Sequence, residues 1–184
     1  MEIQFETERL ILKCLNESDA GILLDYFLRN AEFLQPWEVV RGPSFYTMEN
    51  MEKLIVDDLQ GLKAGHTLRF WILKKEDQGR IIGSVALSNI IRGVFQSAFI
   101  GYRLDKEEIN KGYMTEAIVK MVAIAFEKLS LHRIEANIIP RNTRSIRTVE
   151  KAGFEYEGIS KKYLKINGVW EDHVHMVILN EAME

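Results

Sequence analysis

Apolar and polar positions alternate in rhythms that change along the chain. Leu10-Ile11-Leu12, inside residues 7–14, is a short continuous apolar run of strand length. Asn16, Ser18 and Asp19 can cap a helix, and Ile22, Leu23, Tyr26 and Phe27 recur at i, i+1, i+4 and i+5, predicting that helix through about Arg29. After Pro36 and Gly42-Pro43, the residues Met51, Leu54, Ile55 and Leu59 place one apolar face on a helix over 47–62. Segments 67–74, 80–91 and 94–104 are rich in β-branched and aromatic residues, and Asp77-Gln78-Gly79 and Arg92-Gly93 separate them, so they predict an antiparallel meander.

The longest helical pattern is 112–129, where Ala117, Ile118, Met121, Val122, Ala125, Phe126 and Leu129 form a wide stripe suited to packing on a sheet. A strand over 133–139 stops at Pro140, and a helix over 142–152 ends at Gly153. Segments 154–166 and 169–179 form a hairpin around Asn167-Gly168, a dipeptide that tolerates positive φ at both positions. The sum is an α+β fold of about seven strands and four helices. Its strand–helix–strand succession implies at least one parallel pairing in a mostly antiparallel sheet.

The 184 residues carry no linker, repeat or low-complexity run and read as one domain, 1–184. Lys plus Arg total 24 against 27 Asp plus Glu, a net charge of -3, which argues against direct nucleic-acid binding. No apolar run reaches the length of a membrane helix, and the start, with Glu2 and Glu6, lacks the basic and apolar segments of a signal peptide. Cys14 is the single cysteine, so no internal disulfide or CxxC metal site can form. The expected setting is the cytoplasm, with no membrane partner.

Chemistry concentrates in two runs. Ile100-Gly101-Tyr102-Arg103-Leu104 feeds a loop that opens the long helix at Gly112-Tyr113-Met114-Thr115. Free backbone N–H groups and the positive end of the helix dipole would meet there, with Lys111 adding charge, so a pyrophosphate would fit. On spacing alone this balances against a plain capped helix with Asn110 or Thr115 as the cap. The second run, Asn142 to Phe154, is by itself an ordinary helix with Asn142 at its N-cap and Gly153 at its C-cap.

Taken together, the two runs resemble the GCN5-related N-acetyltransferase (GNAT) superfamily. Further motifs resemble its RimJ/RimL ribosomal-protein N-terminal acetyltransferases, the RimJ branch most: Phe33-Leu34-Gln35-Pro36-Trp37-Glu38, Ser88 to Gly93, Asn110 to Ala117, His132-Arg133-Ile134, and Asn167 to His173. The resemblance implies the GNAT fold, with helices on both faces of the sheet, and acetyl-CoA as co-substrate. It also implies direct transfer to an amine, the Ala or Ser α-amine of a ribosomal protein, by a monomer or homodimer. Tyr102, Arg103, Leu104, Asn110, Lys111, Gly112, Tyr113, Met114, Thr115, Asn142 and Ser145 would then hold the cofactor. The sequence departs from the superfamily at Ile109 and Met114 in the loop, and at Val149, where many members have a tyrosine that protonates the departing thiolate. Ser145 is the expected replacement donor.

For the base, Glu38 and Glu157 lead, with Tyr102 and Asp172 behind; Trp37, Glu38 and Tyr102 are the expected acceptor contacts. His173 and His175 alternate on a strand without a third ligand at metal spacing, which favours a hydrogen-bonding role and no metal. A small-amine acceptor such as an antibiotic or polyamine would use the same cleft. The altered loop and Val149 would also suit a non-catalytic acetyl-CoA-binding module. A nucleotide-binding enzyme is disfavoured, since neither GxxxxGK[ST] nor GxGxxG occurs.

Overall fold

A computed structural model describes residues 3–184. The elements run β1 (Gln4–Glu6), β2 (Leu10–Lys13), α1 (Ala20–Leu34), α2 (Met48–Lys63), β3 (Leu68–Lys74), β4 (Asp77–Ile91) and β5 (Ser97–Leu104). They continue α3 (Tyr113–Glu127), β6 (Arg133–Ile138), α4 (Thr143–Lys151), β7 (Glu155–Ile166) and β8 (Val169–Leu179). The strands form one sheet in the order β1-β2-β3-β4-β5-β6-β8-β7. Every pairing is antiparallel except β5 with β6, which the α3 crossover makes parallel.

Side-chain alternation along the strands builds two cores. On β3, Phe70 and Ile72 join Ala117, Ile118 and Met121 of α3, while Trp71 and Leu73 face the other way into Leu23, Tyr26 and Phe27 of α1 and Met51 and Ile55 of α2. The helices therefore cover both faces, α1 and α2 on one and α3 and α4 on the other.

Several boundaries differ from the sequence expectation. The sheet has eight strands, because three-residue β1 pairs with β2, a gain that comes only from the edge it meets. Helix α1 continues past Arg29 to Leu34, since Asn30 and Leu34 extend its buried stripe. Asp77-Gln78-Gly79 lies inside β4; the reversal occurs at Lys75-Glu76, and irregular register at Ile72/Leu73 and Leu73/Lys74 absorbs the shift. Strand β5 starts at Ser97 rather than Val94, after a loop in which Gln96 has a φ of 40°.

Two features place the functional cleft. β5 lies hard against β4, where a Cβ at Gly83 would run into the Arg103 carbonyl. β5 and β6, by contrast, are in register only at Ser97–Arg133, Ala98–Ile134 and Phe99–Glu135. Both strands continue beyond that point without pairing, so the sheet opens between them.

Candidate active site

The opening between β5 and β6 is a cavity of about 650 Å³, walled by Gly101 to Leu104 on one side and Ala136 to Ile139 on the other. Two helix N-termini border it, those of α3 and α4, bringing two positive dipole ends to one cleft. An elongated anionic ligand with a polar thread fits that arrangement.

The α3 end is the predicted anion site. Gly112, at its N-cap, has a φ of 82°, a backbone state that disfavours a side chain, and no side chain caps the helix. Arg9 braces the turn from outside: it donates to the Lys111 carbonyl at 3.0 Å, pairs with Glu116 at 2.7 Å, and lies 4.5 Å from the Tyr113 ring centroid. Asn110, Gly112, Met114 and Thr115 line the cavity. Lys111 and Tyr113 do not: the Lys111 ammonium is held by Glu108 at 2.8 Å and Tyr113 packs under Arg9. Beneath the loop, buried Asp105 pairs with Arg29 and Arg80, and Asn30 accepts the Lys106 N–H at 2.9 Å. The loop is thus fixed on the cavity's rim.

At the α4 end, Asn142 Oδ1 accepts the Ser145 N–H at 3.3 Å, capping the helix as predicted. Ser145 Oγ lies 2.6 Å from the hydroxyl of Tyr102, and the Ser145 carbonyl oxygen lies 3.1 Å from the same hydroxyl. Burial pushes the Tyr102 phenol well above its ordinary range, against a smaller opposing effect of the Ser145 hydrogen bond. A phenol that keeps its proton cannot serve as the base; its single proton goes either to the Ser145 carbonyl or to Ser145 Oγ, and the second arrangement leaves the serine proton for a ligand. Val149 is fully buried in the core rather than at the cavity.

The acceptor-side candidates separate. Trp37 and Glu38 line the cavity, and Glu38 Oε2 meets Arg41 at 2.8 Å and Arg103 at 3.2 Å. Their loop is pinned by Asn167 in the β7–β8 turn, which donates to the Gln35 and Glu38 carbonyls and accepts the Val40 N–H. Glu157 is not brought to the cavity. It is exposed and bound at 2.7 and 2.5 Å to Arg133, whose hydrogen bonds hold its carboxyl below the ordinary range, a poor setting for a base. Asp172 is likewise taken up by Lys161 and the Lys162 N–H.

Sequence reasoning missed Arg144, Arg147 and Lys151, which line the cavity from one face of α4. Their i, i+3, i+7 spacing was the available signal, and they suit the phosphates of a bound ligand. Asn137 and His173 also border the cavity without having been expected there.

An acetyltransferase (GNAT) domain model matches residues 9–155 of the chain. The chain is similar to the probable N-acetyltransferase YjcK of Bacillus subtilis, 44% identical over 93% of this chain and 94% of that protein. It superposes on the ribosomal-protein-S5-alanine acetyltransferase from Vibrio fischeri with a TM-score of 0.91 and 36% identity, covering 99% of each chain. It superposes on Mycobacterium smegmatis RimJ in complex with CoA-disulfide with a TM-score of 0.87 and 28% identity, over 95% of this chain and 83% of that one.

Proposed function

Since the chain belongs to the GNAT acetyltransferase family and is an acetyl-CoA-dependent N-acetyltransferase of the RimJ/RimL type, we propose that it acetylates a protein N-terminal α-amine in the cytoplasm. The acceptor in this reading is an Ala or Ser terminus of a ribosomal protein, and residues 1–184 act as one catalytic domain. The observation that carries it is the opened β5–β6 seam, with both helix N-termini on its rim and Glu38 and Trp37 at its mouth. Likeness to an S5-alanine acetyltransferase across nearly the whole chain supports the acceptor class.

The residues present fit the co-substrate. The uncapped turn at Gly112 offers backbone N–H groups to a pyrophosphate, and Arg144, Arg147 and Lys151 supply countercharge along α4. The unpaired edge of β5 around Arg103 and Leu104 offers backbone groups to the pantetheine and the thioester carbonyl. Acetyl-CoA supplies the activated acyl group. A peptide α-amine, with a pKa near 8, is roughly one-tenth neutral at pH 7, so direct attack needs no protein nucleophile. Glu38, held by Arg41 and Arg103, would contact the acceptor at the mouth, and Ser145, when it receives the Tyr102 proton, would donate to the departing sulfur.

A mass-spectrometric screen tests this, using peptides with free Ala, Ser or Met termini, peptides with internal lysines, and small polyamines, each with acetyl-CoA. Selective labelling of Ala or Ser α-amines is the expected result. Labelling of small amines alone would replace the protein acceptor by a metabolic one, and binding of acetyl-CoA without any transfer would favour a sensor.

A further inference from the structure

The cavity wall on the α1 side carries one buried hydrogen-bond acceptor that the described residues leave unsatisfied, and beside it a histidine nitrogen that none of them engages. Ile134, Ala136 and Ile138 of β6, with Val174 and Met176 of β8, point into the core beneath α3 and α4. Alternation therefore turns Asn137 and His173 to the opposite face, where both border the cavity. Asn137 Oδ1 is buried there without a hydrogen-bond partner. His173 is 3% exposed, and its Nδ1 lies 3.1 Å from the Glu171 carbonyl oxygen. A carbonyl only accepts, so Nδ1 carries a proton, and in that tautomer of the neutral ring the lone pair sits on Nε2.

His175 makes the contrast. Its Nδ1 meets Glu135 Oε1 at 2.7 Å and its Nε2 meets Ser160 Oγ at 2.7 Å, so both nitrogens are committed. The Tyr163 ring packs on both imidazoles, with centroids 5.6 Å from His173 and 5.0 Å from His175. His173 is thus held in place with one nitrogen engaged and the other without a partner. The buried Asn137 Oδ1 is costly to leave unpaired unless a ligand brings a donor. An amine is such a donor.

We propose that Asn137 and His173 are the acceptor-amine site: Asn137 Oδ1 receives one N–H of the incoming amine and orients it, and His173 Nε2 takes the proton the nitrogen must lose. The proposal rests on the reading of the acceptor as an α-amine. As nitrogen bonds to the thioester carbonyl carbon, the carbon–sulfur bond breaks with its electron pair on sulfur. The amine proton passes to His173 and on to solvent; sulfur takes a proton from Ser145, which recovers one from solvent. One amine and one thioester become one amide and one thiol. The charged and titratable groups around His173 are Tyr163 of β7, Glu171 and His175 of its own strand, and Glu135 of β6. Glu38, Arg103, Arg144, Arg147 and Lys151 share the cavity.

The test follows kcat/KM of wild type, H173Q and N137A between about pH 5 and 9, with the peptide the wild type labels best; general-base removal costs roughly 100-fold or more. In wild type the rate should fall more steeply on the acid side than the neutral amine fraction does. H173Q should lose that limb and track only the neutral amine fraction, while its acetyl-CoA affinity by calorimetry stays at the wild-type value. N137A should raise the acceptor KM roughly tenfold, the loss of one well-placed hydrogen bond, with the acetyl-CoA KM unmoved. H173Q with the wild-type rate and acid limb would overturn the base, and N137A with an unchanged acceptor KM would overturn the amine site. If H173Q fails to bind acetyl-CoA, the wild-type protein decides: its His173 imidazole proton resonances must shift when acceptor peptide is added, and no shift overturns the proposal. A wild-type enzyme that labels only small amines would remove the α-amine reading, and the same variants assayed on that amine would still decide His173.

Discussion

At the scale of single residues, the Tyr102–Ser145 pair stands where the sequence lacks the expected tyrosine at Val149. Two hydroxyls lie 2.6 Å apart, one of them a buried phenol that keeps its proton, and the serine proton is free to present when that phenol donates to Ser145 Oγ rather than to the Ser145 carbonyl. Removing one such preorganised donor typically costs about 100-fold in kcat. Ser145→Ala should show that loss with little change in the acetyl-CoA KM, and Tyr102→Phe a smaller one; steady-state kinetics of both variants would show a shared role if the double variant is no worse than Ser145→Ala. Gly112 offers a second residue-scale prediction. Its φ of 82°, with Arg9 Nη2 3.3 Å from where a Cβ would stand, makes Gly112→Ala a strained change costing about 1–2 kcal/mol. Weaker acetyl-CoA binding by calorimetry is the expected result. The placement of Asn142 and Gly112 at two helix starts was legible because a cap and a glycine there are local signals. Glu157 was misread because its partner, Arg133, arrives from a strand 24 residues away, and nothing in the sequence around Glu157 announces it.

Among the elements, the β7–β8 hairpin does more than close the sheet. Its turn was readable from Asn167-Gly168, and both residues do adopt positive φ, 48° and 88°. Unreadable was the use of the Asn167 side chain, which makes three hydrogen bonds to the backbone of the loop carrying Trp37 and Glu38. Asn167→Gly keeps the turn and removes the staple. It should raise the acceptor KM several-fold while leaving the acetyl-CoA KM unchanged, a split that steady-state kinetics with each substrate varied would resolve. Helix α4 predicts the reverse split. Replacing Arg144, Arg147 and Lys151 by Gln should raise the acetyl-CoA KM, and raising salt should weaken acetyl-CoA binding less in the variant than in wild type. The long apolar stripe of α3 was visible from its period alone. The parting of β5 and β6 was not, because it depends on how far two strands 29 residues apart remain in register, and composition carries no trace of that.

Across the whole molecule, the N-terminal segment is tied to the cofactor end of the fold by one carboxylate. Glu116, in the first turn of α3, accepts from the Thr7 hydroxyl at 2.5 Å and the Arg9 N–H at 2.9 Å, and pairs with the Arg9 guanidinium. Burial alone would raise its pKa, but these partners outweigh burial and hold the carboxyl below its ordinary range. Glu108, against Lys111 and Lys74, and Glu135, against Arg133 and His175, are balanced in the same way. A carboxyl whose folded pKa is depressed stabilises the fold above its unfolded value, near 4.3 for Glu, and loses that contribution as pH falls through the folded pKa. Asp58 has the opposite sign, since burial raises it despite Arg69, and acidification relieves its cost. With Glu107, Glu157 and Asp172 also depressed, six carboxyls against one raised predict a melting temperature that falls as pH drops below about 4.3. Glu116→Gln keeps the shape and discards the charge. Hydrogen bonds to charged groups contribute about 1.5–3 kcal/mol, so the variant should melt lower than wild type at neutral pH by that order. The two curves should converge in acid, where wild-type Glu116 is itself protonated. Calorimetric melting of both proteins across the acid range checks this, and a gap that stays constant with pH would mean that the carboxylate's charge contributes nothing to holding Thr7 and Arg9 against α3.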